Sequence, residues 1–199
     1  MTPTDPLEPT LAQRLAQLPS PADWPLESSQ PATDLFIFKS RIDQRRQPRS
    51  GQIMPRVALE APDWVNVIAV TRDGLVILVR QFRFGTGEVS TEIPAGMVDA
   101  GETPLEAAQR ELMEETGHAA ERWTGLGSVA PNPAFLNNRC HLWLAEGCSK
   151  QAEPRLDGGE DIALAYWPLA AVQQAIRLGA IDHSLVICAF SRVMDLSRD

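Results

Sequence analysis

Residues 96–117 read GMVDAGETPLEAAQRELMEETG, and this stretch constrains the chain more than any other. It predicts one helix with defined ends. Thr103 stands where an N-cap belongs, Glu106 follows it in capping-box spacing, Pro104 suits the first turn and Gly117 suits the end. Leu105, Ala108, Leu112 and Met113 form an apolar stripe. Glu111 and Glu115 fall one turn apart on one face, and Glu114 borders that face. Like charges so placed repel one another and weaken a helix. A merely solvated helix would pair them with lysines, and the helix contains none. The glutamates call for a compensating cation. Clusters of carboxylate oxygens suit Mg²⁺ or Mn²⁺, and Mg²⁺ commonly works with phosphate substrates. These carboxylates therefore predict a divalent-metal site on one helix, with a loop before it.

The rest of the chain is consistent with an ordinary globular protein. It has 199 residues, an apolar fraction of 44% and a formal charge of −8. That length buries a core without disulfide or zinc staples. No apolar run is long enough for a membrane helix. The acidic balance argues against a binder of nucleic acid polymers. Cys140, Cys148 and Cys188 show no metal-binding spacing and are read as buried or partly buried small hydrophobes. The first residues lack the basic and apolar regions of a secretory signal, so a cytoplasmic location is expected.

Residues 1–33 are rich in proline and read as an N-terminal extension, with one short helix capped by Thr10 and striped by Leu11, Leu15 and Leu18. Residues 34–60 read as N-terminal β-strands, the first over 35–38 and the second over 52–59. Between residues 39 and 56 the chain is basic, with Lys39, Arg41, Arg45, Arg46, Arg49 and Arg56 against Asp43. Such a run fits a solvated hairpin face, or a contact with an anionic ligand or an acidic partner.

Residues 61–199 form the main domain. A hairpin over 64–79 turns at Asp73-Gly74, and its second strand is apolar enough to be covered on both faces. Strands are expected near 91–94, 128–129, 141–144 and 163–167. Residues 149–161 read as a polar loop. Two closing helices span 169–178 and 183–196, the second capped by Asp182. Strands and helices in this order predict an α/β (α+β) protein, with a mixed β-sheet packed between helices.

The metal-site stretch resembles the Nudix box. Gly96, Glu102, Arg110-Glu111, Leu112, Glu114-Glu115 and Gly117 all stand at the family's spacing. The one departure is His118, where the box ends on an aliphatic residue; it is expected to loosen the loop after the helix. The resemblance implies a Nudix fold that hydrolyses a nucleoside diphosphate linked to another group. By position, it implies Glu111, Glu114 and Glu115 as metal ligands, joined by the main-chain oxygen of Ala95, with Mg²⁺ or Mn²⁺ as the cofactor. Arg110 and Glu102 would orient those ligands. Glu160, in the loop 156–162, would be the catalytic base, with Asp161 as the alternative.

Three features resemble the branch that cleaves ADP-ribose and other nucleoside diphosphate sugars. Glu92-Ile93-Pro94-Ala95-Gly96 leads into the box, Arg80-Gln81-Phe82-Arg83 ends a strand, and Pro133 lies downstream within Pro131-Asn132-Pro133-Ala134. The resemblance implies that Arg80, Arg83, Glu92 and Pro133 bind substrate, giving a nucleoside monophosphate and a sugar phosphate. It also implies a homodimer built through the strands of residues 34–60, with Trp64, Phe36 and Phe38 as core, stacking surface or interface area. Other nucleotides remain open at this point: GDP-mannose, ADP-glucose, NADH, dinucleoside polyphosphates, coenzyme A and oxidised nucleotides. So does a non-catalytic sensor of nucleotide sugars.

Overall fold

The computed structural model describes residues 9–197. The chain forms two compact units. One takes Ala130–Asn138 together with the N-terminal segment as far as Pro62; the other takes Asp63–Val129 and the chain from Arg139 onward.

The N-terminal unit begins with a helix, α1 (Pro9–Ala16), which starts one residue before Thr10, so Thr10 lies within the helix and not at the position before it. Four strands follow: β1 (Leu26–Ser29), β2 (Thr33–Asp34), β3 (Lys39–Arg46) and β4 (Ile53–Glu60). The other three pair antiparallel with β3, and β4 runs beside it from Lys39↔Glu60 to Arg46↔Ile53. The loop 130–138 bonds to β4 through Leu59 N–H to Phe135 O and Asn137 N–H to Leu59 O.

Residues 35–38, expected as a strand, are instead the tip of the β2–β3 hairpin. The Asp34 carboxylate accepts the Phe36 N–H at 2.9 Å, a local turn bond that competes with strand pairing. Phe36 has φ 69° and is fully exposed, so it is not core.

Three cations of the basic run, Arg41, Arg45 and Arg46, pair with carboxylates of their own unit. Asp43, almost fully buried, accepts from Arg41 and Arg45 at 3.0 Å each and from Ser29 at 2.8 Å. Those bonds, Arg41's first, hold its carboxyl at about 2. Arg41 also pairs with Glu60, Arg46 pairs with Glu27, and Arg56 lies 4.7 Å over the Trp24 ring.

The larger unit contains β5 (Trp64–Thr71), β6 (Leu75–Arg83), β7 (Glu88–Glu92), β8 (Ala95–Met97), α2 (Pro104–Thr116), β9 (His118–Ala119), β10 (Arg122–Val129), β11 (Cys140–Lys150), β12 (Ile162–Pro168), α3 (Leu169–Arg177) and α4 (Ser184–Phe190). Its main sheet runs β10-β11-β5-β6-β12, with β7 on β6, β8 on β5 and β9 on β11. The sheet is mixed, because β11 runs parallel to β5 and its other pairs are antiparallel.

Alternation along β5 and β6 divides the core. Val65, Val67, Ala69 and Ile77 pack with Ala107, Ala108 and Leu112 of α2. Ile68, Val76 and Leu78 pack on the opposite side with Val172 of α3 and Val186, Ala189 and Phe190 of α4. This is the mixed sheet between helices that the order of elements predicts, and it explains why 75–79 is continuously apolar. Trp64 packs against the α3/α4 side of the core. Cys140 and Cys148 are buried and Cys188 partly so. Among the described residues no helix is long and apolar enough to cross a membrane.

Two chain ends of elements differ from expectation. The last helix is shorter than 183–196, and its N-cap is His183, not Asp182; neither side chain caps it. His118 does not loosen the loop after α2. It is 5% exposed, its Nδ1 lies 2.8 Å from the Thr116 carbonyl, and its ring packs 5.8 Å from that of Tyr166.

The end of α2 carries the first prediction. Gly117 sits at φ 72°, and a Cβ there would overlap the Ala152 carbonyl oxygen. The same glycine's carbonyl accepts from Gln151 and Ala152, which starts the loop after β11. Gly117→Ala is expected to destabilise the fold by more than about 1 kcal/mol, read by chemical denaturation.

Candidate active site

The helix α2 presents its polar face as the capping signals require. Thr103 and Glu106 exchange the two bonds of a capping box, Pro104 occupies the first turn, and Gly117 closes the helix in a left-handed conformation. This fixes the rotation of the helix, and with it the side on which the carboxylates emerge.

Arg110 is the hub of that face. Its Nε and Nη2 donate to the two oxygens of Glu102 at 3.0 and 2.9 Å. Nη1 donates to Glu111 at 2.8 Å and to Glu114 at 3.1 Å, and Nη2 also reaches the Met97 carbonyl at 2.8 Å. Glu102's bond from Arg110 lowers its own pKa and raises that of Arg110. The guanidinium thus ties the loop before the helix to the helix itself.

Glu111 and Glu115 are under-compensated. Burial pushes the Glu111 carboxyl up to about 7 despite the bond from Arg110. Burial pushes Glu115 up to about 8, against the single bond it accepts from the Ala95 N–H at 3.0 Å. A Cβ at Gly96 would overlap the Glu111 carboxylate where it stands and displace it. Among the described residues no three acidic, imidazole or thiol groups are gathered closely enough to hold an ion as they stand. Arg110 occupies oxygens of Glu111 and Glu114 instead. The donor chemistry nonetheless fits a hard divalent cation, because the buried groups are oxygens whose negative charge the protein leaves partly unmet.

A second ion pair stands beside this face. Arg83 donates through Nε and Nη2 to both oxygens of Glu92, each at 2.7 Å. Glu92 is 1% exposed; burial raises its pKa, but the Arg83 bonds outweigh that and leave it lowered. Arg83 also feels the charges of Glu115 and Glu160. The charge of Glu160 in turn raises the pKa of Glu111 and Glu115. Its loop starts from α2: the Arg155 N–H donates to the Glu114 carbonyl at 2.7 Å. The Glu160 carboxylate also accepts the Asp157 N–H at 3.0 Å, which ties the loop end back on itself. Glu160 and Asp161 are both exposed.

One residue expected at the site is not brought to this cluster by the structure. Arg80 is exposed and, three residues before Arg83 in β6, points to the opposite face of the strand. Pro133 is exposed in the N-terminal unit. Conversely, the Met97 carbonyl and His183, whose Nε2 lies 3.8 Å from Glu92, were not foreseen. Neither has a sequence signal: one is a backbone atom, and the other is distant in the chain.

Comparison with known proteins decides the family. The NUDIX domain model matches residues 62–189. The chain belongs to the Nudix family. It is a Nudix hydrolase, a class that needs divalent cations. It is 34% identical over 154 residues to the methanol dehydrogenase activator of Bacillus methanolicus, covering 77% of this chain and 83% of that protein. It is 33% identical over 153 residues to the ADP-ribose pyrophosphatase of Mycobacterium tuberculosis, covering 76% and 73%. Its fold matches a solved ADP compounds hydrolase with a TM-score of 0.77 at 21% identity, over 88% of this chain and 94% of the other. The mixed sheet between helices is thus the Nudix fold, and the α2 region is the Nudix box.

Proposed function

We propose that the protein hydrolyses the pyrophosphate bond of ADP-ribose or a related nucleoside diphosphate sugar, giving a nucleoside monophosphate and a sugar phosphate. The observation that carries this reading is the pair of buried, under-compensated carboxylates, Glu111 and Glu115, standing beside the Arg83–Glu92 pair. The likeness to an enzyme named ADP-ribose pyrophosphatase supports the choice of substrate.

In this reading Glu111 and Glu115, with Glu114 and the Ala95 carbonyl, hold Mg²⁺ or Mn²⁺. Bound there, the cation neutralises the diphosphate and helps activate the attacking water. Arg110 and Glu102 keep the ligands in register. Arg83, pinned by Glu92, supplies positive charge to the diphosphate, and the phosphate contact falls to Arg83 rather than Arg80. Glu160 takes the proton of the attacking water, with Asp161 as the alternative. Pro133 belongs to the choice of substrate.

The domain assignment follows: residues 1–33 an extension, 34–60 strands that pair two copies into a homodimer, 61–199 the catalytic domain. The partner is a small nucleotide sugar, neither a nucleic acid polymer nor a membrane, and the location is cytoplasmic.

The test is a panel of ADP-ribose, ADP-glucose, GDP-mannose, NADH and 8-oxo-dGTP with Mg²⁺, Mn²⁺ or chelator, with products identified by mass. ADP-ribose is expected to give AMP and ribose 5-phosphate only with metal, at the highest kcat/KM of the set. A preference for NADH or 8-oxo-dGTP by more than about ten-fold overturns the nucleotide-sugar reading, because pocket contacts commonly discriminate by such factors. Turnover in chelator overturns the metal site.

A further inference from the structure

Glu92 poses a problem for any reading in which Arg83 engages substrate. Its carboxylate is 1% exposed, and its charge is met by two bonds from Arg83. A diphosphate that draws the guanidinium toward itself leaves a buried carboxylate short of a partner, and an unpaired buried charge is strongly unfavourable. Two further donor side chains stand near it. The His183 Nε2 lies 3.8 Å from Glu92 Oε2, inside ion-pair range but beyond a hydrogen bond. Ser90, on the same strand as Glu92, is the second and also lowers its pKa.

His183 has no other evident task. It stands at the N-cap of α4, a position that favours Ser, Thr, Asp or Asn, and makes no capping bond. Its Nδ1 is buried without a hydrogen-bond partner. A ring that leaves one nitrogen unsatisfied and aims the other at a buried carboxylate is poised to donate through Nε2, and the tautomer with the proton on Nε2 serves this.

We propose that His183 is a positioning residue that takes over the Glu92 carboxylate as Arg83 turns its charge to the diphosphate of the substrate. The inference rests on the reading of Arg83 as a phosphate contact. In the free enzyme Arg83 holds Glu92 and His183 stands off. With substrate bound, the imidazole closes to hydrogen-bond distance, and Glu92 keeps a donor throughout. His183 touches neither the substrate nor the reacting atoms.

The test compares His183→Ala and His183→Gln with the wild-type enzyme in steady-state kinetics with Mg²⁺. His183→Ala is expected to raise KM about ten-fold, the worth of one hydrogen bond to a charged group, with kcat within about two-fold. His183→Gln keeps an N–H donor and is expected to stay within about two-fold of wild type in both constants. An unchanged KM in His183→Ala, a loss confined to kcat, or a Gln variant as impaired as Ala overturns the proposal. If the Ala variant does not fold, His183→Leu replaces it, keeping the volume without the donor. Wild-type turnover of ADP-ribose is measured first. If another nucleotide of the panel is the substrate, the substrate reading fails on its own and the same variants are compared on that compound.

Discussion

Glu115→Gln is expected to abolish most metal-dependent turnover and, in chelator, to leave the protein at least as stable as the wild type. Losing a residue that merely orients a metal ligand typically costs 10–100-fold, so loss of the ligand itself should cost at least about 100-fold. The stability result has the opposite sign. Burial holds the Glu115 carboxyl at about 8, where a free side chain stands at 4.5. Between those values the folded protein keeps a proton that the unfolded chain has released, so stability falls as pH rises through this window. Gln carries no such proton and still offers an oxygen to the Ala95 N–H. In chelator the two proteins should therefore melt together near about pH 5, and the variant should melt higher by a few degrees at about pH 8.5. Added Mg²⁺ should raise the melting temperature of the wild type and much less that of the variant. The wild type's affinity for metal should itself rise with pH through the same window, since cation and proton compete for one carboxylate. Activity that survives the substitution, or a variant less stable than wild type in chelator at high pH, would refute the assignment.

The contrast between activity and stability shows why one part of the site was legible in the sequence and another was not. The α2 region is local. Thr103, Glu106 and Gly117 define where the helix begins and ends, so the spacing of Glu111, Glu114 and Glu115 alone puts them on one face. The core behind it was legible for the same reason, because alternation in β5 and β6 is a property of adjacent residues. The Arg83–Glu92 pair depends instead on the β6–β7 register, where Val79 lies opposite Glu92 and Arg83 opposite Glu88. Nothing in a single strand reveals that diagonal. His183 reaches Glu92 from the start of a distant helix. Glu160 is placed through backbone anchors, Arg155 to Glu114 and Gln151 to Gly117, which leave no side-chain pattern to read. The misread strand at 35–38 has a local cause that apolar content conceals: one bond from the Asp34 carboxylate makes a turn of four apolar residues.

Arg110→Lys separates charge from geometry at the centre of the site. The substitution keeps a positive charge, yet a lysine ammonium is a compact group that cannot span the same partners. In the wild type one planar guanidinium holds both oxygens of Glu102, one each of Glu111 and Glu114, and the Met97 carbonyl. The variant is expected to lose about 2–4 kcal/mol in chelator, somewhat less than a fully buried pair because the arginine is partly exposed. Activity should fall about 10–100-fold, as expected where ligands lose their orientation. Mg²⁺ provides the discriminating measurement. A cation bound by Glu111 and Glu114 can replace the arginine's charge at those two groups but not at Glu102 or the Met97 carbonyl. Metal should therefore restore more stability to the variant than it adds to the wild type, where Arg110 competes for the same oxygens, and should still leave it below wild type. If denaturation curves with Mg²⁺ coincide for the two proteins, the loop anchored at Glu102 and Met97 contributes nothing, and Arg110 serves only as a counter-charge.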